Sequence, residues 1–329
     1  MNNILVTGGG GFLGKAIVEQ LLKSGKNVTS FSRGKYPELE AMGVAQIQGD
    51  LSHAESVSRA VSGMDAVFHV AALAGVWGPY EVYHQINVAG TENVIAACRA
   101  QGNIPLVHTS SPSVVFDEHD MEGVDESVPY PATYLTHYPA TKALAEKAVI
   151  RASKKGLPAI ILRPHLIWGP GDNHLIPRII ERANRLKRIG RRDDLVDTIY
   201  VDNAADAHVL ALKKLVENPS LSGNVYFISQ DDPISKWELV DAFLAAAGKP
   251  PVKGHISAKA AYGVGWFLEQ IYTLFRIRSE PPMTRFVAKE LATSHWFDIS
   301  RVKQDLGYSP RVSTKEGLRR VADWLAQEK

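Results

Sequence analysis

A strand-like run beginning at residue 3 delivers the chain into Thr7-Gly8-Gly9-Gly10-Gly11-Phe12-Leu13-Gly14, and an amphipathic helical pattern starts at once. A glycine loop wedged between strand and helix constrains the fold sharply, because it lets the backbone come close to something flat and charged. The spacing through Gly8, Gly11 and Gly14 gives each glycine a task. Gly8 allows the tight turn, Gly11 removes a Cβ where phosphates must approach, and Gly14 lets helix and strand pack. Phe12 and Leu13 then open a helix whose N-terminus carries partial positive charge toward an anion. Such a loop predicts a dinucleotide site at the start of a doubly wound sheet.

The rest of the first half continues the pattern. Short β-branched runs near 28–31, 44–47, 66–70, 106–108 and 159–162 alternate with amphipathic stretches, the signature of repeated βαβ units. The expected architecture is therefore α/β, a Rossmann-type doubly wound parallel sheet, with residues 1–170 forming the nucleotide domain and receiving some later segments near 195–220. Beyond Gly169-Pro170-Gly171-Asp172 the alternation breaks, and strand-like pieces at 198–201 and 225–228 mix with helices near 175–188, 203–217 and 235–247. Residues 171–329 are expected to form a smaller, mostly helical substrate-binding region interleaved with the first. No Ser/Gly linker separates the two, so their boundary should be a cleft. A net charge of +2 argues against nucleic acid as a partner, and a lone cysteine, Cys98, excludes an internal disulfide and fits a cytoplasmic location. Neither a secretory leader nor a membrane-spanning run is apparent.

The end of the second strand-like run should read the cofactor's ribose. An acidic residue there would bond a 2′-hydroxyl, but Asn27 to Arg33 has none. Ser32 and Arg33 offer a hydroxyl and a guanidinium instead, which suit a 2′-phosphate, so NADP(H) is expected, with NAD(H) as the alternative. Asp50, before Leu51, can accept from an adenine amino group or cap the helix that follows.

Proton chemistry is suggested by Tyr138-Pro139-Ala140-Thr141-Lys142. Residues four apart share a helical face, and an ammonium one turn from a phenol favours the phenolate, lowering a pKa that is ordinarily ~10. Pro139 pushes Tyr138 toward the first helical turn. Thr109-Ser110-Ser111-Pro112-Ser113 ends another strand, where open α/β sheets place their crevice; any of Ser110, Ser111 and Ser113 can donate to a carbonyl.

Taken in order, these motifs resemble the extended short-chain dehydrogenases/reductases nearly end to end. Thr7 to Gly14, Val67 to Ala72, Asn87-Val88-Ala89-Gly90-Thr91, Tyr138 to Lys142, Leu162-Arg163-Pro164 and Tyr200-Val201-Asp202-Asn203 carry the likeness. The resemblance implies that Tyr138 is the general acid/base, that Lys142 holds the nicotinamide ribose and lowers the phenol pKa, and that Ser111 orients the substrate carbonyl. It further implies that Asp50 and Leu51 frame adenine, that Ala71 runs beneath the adenosine ribose and that Pro164 borders the nicotinamide. Within the family, Thr136 to Lys142 and Arg163 to His174 are similar to the 3β-hydroxysteroid and sterol-4-carboxylate 3-dehydrogenase branch. Inside that branch they resemble the bacterial 2-alkyl-3-oxoalkanoate reductases of olefin biosynthesis. The expected substrate is a small lipophilic ketone, the rivals being nucleotide-sugar epimerisation and non-catalytic NADP sensing.

Four further readings concern the surface and the partners. Val264, Phe267, Leu268, Ile271, Leu274 and Phe275 recur at helical spacing with Trp266 and Tyr262 alongside, so residues 258–276 form a lid over an acyl chain, core packing or a membrane-skimming helix. Basic residues crowd the segment from Arg178 to Arg192 and read mainly as a solvated surface, one arginine being a candidate anion clamp. His, Asp and Glu lack ligand spacing, so no metal is expected. Helices at 80–101 and 132–155 are candidates for a homodimer seam, and association with enzymes of the same pathway is an expectation from the resemblance.

Overall fold

The glycine loop and the β-branched runs assemble as their spacing predicts. The structure is a computed structural model that describes residues 1–190 and 194–327. Five strands, β1 (Asn3–Thr7), β2 (Asn27–Ser32), β3 (Ala45–Gln48), β4 (Ala66–His69) and β5 (Leu106–Thr109), join Ala159–Pro164 and Val225–Ile228 in one seven-stranded sheet. Its order is Val225–Ile228, Ala159–Pro164, β5, β4, β1, β2, β3, with every neighbouring pair parallel. Both faces are covered by helices, which is why Ile4, Leu5, Val6 and Ala66 to Phe68 are buried without alternation. The chain runs outward from β1 to β3 and returns to the other side of β1 as β4. That reversal opens a crevice above the carboxyl ends of β1 and β4.

A chain of buried hydrogen bonds ties the glycine loop to the later helices. Thr7 Oγ1 accepts the N–H groups of Val70 and Ala71, both at 3.2 Å, so its own proton goes to His69 Nδ1 at 2.9 Å. His69 Nε2 then donates to Thr91 Oγ1 (3.0 Å), which donates to the carbonyl of Asn87 (2.7 Å). Burial holds His69 neutral, with its pKa pushed down to about 3. Asn87 sits in a π-helical turn, His84–Ala89, between the helices Tyr80–Tyr83 and Gly90–Ala100. Its amide brackets the backbone of Leu73 through Leu73 N (2.7 Å) and Leu73 O (3.1 Å) and donates to Thr141 Oγ1 at 3.1 Å. Thr141 in turn donates to the carbonyl of His137 (2.8 Å), at the start of the helix carrying Tyr138.

The second half departs from its expected outline in several places. Helix Val201–Glu217 packs against α1 (Phe12–Lys23), and the sheet also takes Val225–Ile228, beyond the 195–220 stretch expected to join the first region. Ile199–Tyr200 pairs only with Ile167–Trp168, outside the main sheet. The helix expected at 175–188 runs Leu175–Arg182 and gives way to a short strand, Arg188–Ile189. Charge explains part of the change: Arg188 reaches across to Asp241 (2.6 Å) and Arg178 to Glu280 (3.1 Å), so these cations serve long-range pairs. Arg191 and Arg192 lie outside the described residues. Among those described, no helix is long and apolar enough to cross a membrane.

Thr7→Val keeps the shape of the side chain but strands two amide protons and His69 Nδ1. A buried group left unpaired costs about 1–3 kcal/mol, so urea unfolding should show a loss of about 2–4 kcal/mol with an unchanged m-value. A loss below about 0.5 kcal/mol would remove Thr7 from the network.

Candidate active site

Every residue that the sequence nominates for catalysis or cofactor binding faces one cleft of about 640 Å³ above the carboxyl ends of the strands. At one end stands the glycine loop. Gly8 has φ +71° and packs against Ala71, while a Cβ on Gly14 would overlap the carbonyl oxygen of Gly8. A Cβ on Gly11 would meet only the Gly8 carbonyl, at 3.2 Å, so Gly11 leaves the cleft side open. Helix α1 starts here with Gly11 as its N-cap, no side-chain cap and no acidic residue in its first turn. Its free N–H groups, with Phe12 and Leu13 lining the same wall, fit a pyrophosphate. Ser32, Arg33, Asp50, Leu51 and Ala71 line the adjoining part of the cleft. Arg33 is exposed, and Ser32 Oγ donates to the carbonyl of Gly34 (2.9 Å). One oxygen of Asp50 caps the turn, taking Ser52 N (2.8 Å) and Ser52 Oγ (2.7 Å), which holds its carboxyl below the usual range. This is a local turn and not the expected helix cap, since the helix Ala54–Val61 has His53 as its N-cap and no side-chain cap; Asp50 stays on the cleft wall.

The other end holds Ser111, Tyr138, Lys142 and Pro164. Tyr138 is the second residue of the helix His137–Ser153, whose N-cap is Thr136. Pro139 falls where the first-turn N–H has no intrahelical partner, so the helix tolerates it. The structure separates the three serines: Ser110 is buried on the Glu146 side, Ser111 lies on the Tyr138 side, where its hydroxyl favours the ionised phenol, and Ser113 Oγ lies 2.9 Å from Ser111 Oγ.

Lys142 corrects one expectation. Its Nζ donates to the carbonyl of Thr109 at 2.6 Å, and burial lowers its pKa to about 8. The phenol of Tyr138 lies above its ordinary value, because burial outweighs the opposing influence of the Ser111 hydroxyl and the charge of Glu290 adds to the rise. Lys142 is not among these influences, so a lowered phenol is not a property of the protein alone.

Three groups escaped the sequence reading. Glu146, one turn beyond Lys142, forms a buried bidentate pair with Arg163 (Nη2–Oε1 2.6 Å, Nε–Oε2 3.0 Å) and also accepts Tyr130 OH at 2.6 Å. This pair pins the Tyr138 helix to strand Ala159–Pro164, and the i, i+4 spacing of Lys142 and Glu146 was its only trace. Phe286 and Glu290, from the helix Arg285–Ala292, line the cleft beyond Tyr138. Burial pushes the Glu290 carboxyl up to about 7 against the opposing charge of Lys236. None of residues 258–276 lines the cleft, which counts against the lid reading; Ala261 and Tyr262 pack on a small apolar cluster, so the core reading holds for one face, while Val264, Trp266, Phe267, Leu274 and Phe275 point outward.

A glycine-loop cleft joined to a Ser-Tyr-Lys set on a doubly wound sheet defines an extended short-chain dehydrogenase/reductase, an oxidoreductase. Residues 5–255 match the 3-beta hydroxysteroid dehydrogenase/isomerase family, and the chain belongs to that family. It is 50% identical over 322 residues to the 2-alkyl-3-oxoalkanoate reductase of Stenotrophomonas maltophilia, covering 97% of this chain and 98% of that one. Over 331 residues it is 49% identical to the enzyme of the same name from Shewanella oneidensis, covering 98% and 86%. The fold superposes on a UDP-glucose 4-epimerase from Thermus thermophilus with a TM-score of 0.76 at 24% identity, over 98% of this chain and 99% of that one.

Ionised Glu290 opposes ionisation of Tyr138, and the carboxyl ionises as pH rises through about 7. Glu290→Gln removes that charge and lowers the phenol pKa. Ketone reduction needs the protonated phenol, so the alkaline limb of kcat against pH should move to lower pH in the variant. An unmoved limb would show that the two groups do not communicate.

Proposed function

We propose that this chain is an NADP(H)-dependent reductase that converts the 3-keto group of a lipophilic 2-alkyl-3-oxo acid to a hydroxyl. The observation that carries the reading is the continuity of the cleft from an anion-ready glycine loop, past Ser111, Tyr138 and Lys142, to a wall built from Phe286 and Ile167. Support for the substrate comes from the two reductases that the chain resembles over nearly its whole length. The 3-beta hydroxysteroid family match favours a sterol alcohol as the second reading.

The nicotinamide cofactor, when bound, supplies or accepts the hydride at the carbinol carbon. The protein handles the oxygen. Ser111 donates a hydrogen bond to the carbonyl, while Tyr138, held 'protonated' by burial, gives its proton to that oxygen as negative charge develops. Lys142, one helical turn away and anchored on the Thr109 carbonyl, lines the same cleft and is the residue that would hold the nicotinamide ribose. Preference for the 2′-phosphate rests on Arg33, exposed at the cleft edge, and on the absence of a carboxylate at the end of β2.

Two outcomes follow. Tyr138→Phe should lower kcat for keto-acid reduction on the order of 10²- to 10⁴-fold; near-normal turnover would sink the assignment. Arg33→Ala should raise KM for NADPH about 10- to 100-fold, the worth of charge-assisted hydrogen bonds, while leaving NADH kinetics nearly unchanged. A wild-type preference for NADH, measured with 2-alkyl-3-keto acids, 3β-hydroxysteroids and UDP-sugars in parallel, would overturn the cofactor choice.

A further inference from the structure

A 2-alkyl-3-oxo acid carries its carboxylate one carbon away from the ketone, so the anion needs a cation on the substrate side of Ser111 and Tyr138. Among the described residues that line the cleft, the arginines and lysines are Arg33, Lys142 and Arg178. The order of the strands separates them. Arg33 follows β2, on the far side of β1 from β4 and β5, at the end that suits the adenosine ribose. Lys142 is tied to the Thr109 carbonyl at the end of β5. Arg178 belongs to the helix Leu175–Arg182, which follows strand Ala159–Pro164, on the other side of β5.

The polar groups nearer the catalytic set do not suit an anion. His165 Nδ1 lies 2.7 Å from the carbonyl oxygen of Asp197, which can only accept, so Nδ1 carries the proton and Nε2 is left as an acceptor that a carboxylate cannot use. Burial lowers this imidazole to about 4 and keeps it neutral. Glu290, once ionised, repels a second carboxylate. Asp172 is engaged with the backbone N–H groups of His174 (2.8 Å), Leu175 (3.2 Å) and Ile176 (2.8 Å), so the helix end is already capped and offers no anion site of its own. The charge that remains on this side of the cleft is the Arg178 guanidinium.

Its present partner leaves it able to take another. Ile176 is buried, and Ile179 and Ile180 pack against the main core, which fixes the helix that carries Arg178. Nη1 and Nη2 donate to Glu280 at 3.1 and 3.3 Å, with the two side chains 49 and 22% exposed. A partly exposed pair of this kind contributes little to stability, so an incoming carboxylate can share or replace it at small cost. The rest of the guanidinium fork has no partner among the described residues. The pair also stands at the catalytic end: a Cβ on Gly75 would lie 3.9 Å from Glu280 Oε2 and 3.1 Å from Tyr83 OH, and the Tyr83 ring is 6.4 Å from that of His137, the residue before Tyr138.

We propose that Arg178 binds the substrate carboxylate and so selects oxo acids over neutral ketones, with Glu280 holding the guanidinium at the cleft until the substrate arrives; this rests on the reductase reading above. The test compares steady-state reduction of a 2-alkyl-3-oxo acid and of its methyl ester, which keeps the ketone and lacks the charge. The wild-type enzyme should favour the acid about 10- to 100-fold in kcat/KM. Arg178→Ala should raise KM for the acid about 10- to 100-fold with little change in kcat, and should leave KM for the ester as it was. Arg178→Lys keeps the charge but loses the fork, and should recover part of the acid's KM. Equal losses on acid and ester would mark a merely structural role, and an unchanged KM for the acid would remove Arg178 from the site; either result overturns the proposal while leaving the reductase reading intact. A wild-type enzyme that reduces neither compound would overturn both.

Discussion

The site depends on one buried path of hydrogen bonds, from Thr7 through His69, Thr91, Asn87 and Thr141 to the first turn of the Tyr138 helix. Each link is modest, on the order of 1 kcal/mol net, but each group is buried and has no water to fall back on. Breaking any link leaves a costly orphan, so the glycine loop, the Leu73 backbone and the catalytic helix keep one mutual arrangement. The π-helical turn at His84–Ala89 places the Asn87 amide where it can reach both Leu73 and Thr141. The path links the cofactor end of the cleft to the proton-transfer end.

A second brace acts from below. The Glu146–Arg163 pair is buried on both sides, so its net contribution to stability is small, yet losing either member would leave an uncompensated charge. Its value is geometric: it fixes the distance between the Tyr138 helix and the strand that ends in Pro164. Together the two devices fix the first turn of the Tyr138 helix at the cleft that Ser111 also lines, the arrangement on which the proton chemistry rests. Lys142 completes the set from the third side, anchored on the Thr109 carbonyl.

How much of this was legible in the sequence depended on whether the signal was local. The glycine loop, the β-branched strands and the Tyr138–Lys142 spacing are written within a few residues, and backbone physics reads them directly. Pairings across elements are not written that way. Glu146 and Arg163 each look like an ordinary charge until a strand and a helix bring them together. Glu290 and Phe286 come from the far end of the chain, and nothing near them marks their approach to the cleft. The stripe at 258–276 shows the limit from the other side: periodicity announces an apolar face, but only the packing of Gly265 and Glu269 on Thr284 and Arg285 decides that the face points outward. Residues 198–201 had strand composition and found only a two-residue partner at Ile167–Trp168.

In the proposed reduction the hydride goes to the carbonyl carbon and Tyr138 gives its proton to the oxygen, with net consumption of the reduced cofactor. The most direct measurement follows deuterium from NADPH deuterated at the nicotinamide C4 into a 2-alkyl-3-oxo acid. The account predicts deuterium on C3 of the hydroxy acid and one oxidised cofactor for each product. Turnover that leaves the cofactor unconsumed, or product with no deuterium at C3, would contradict it.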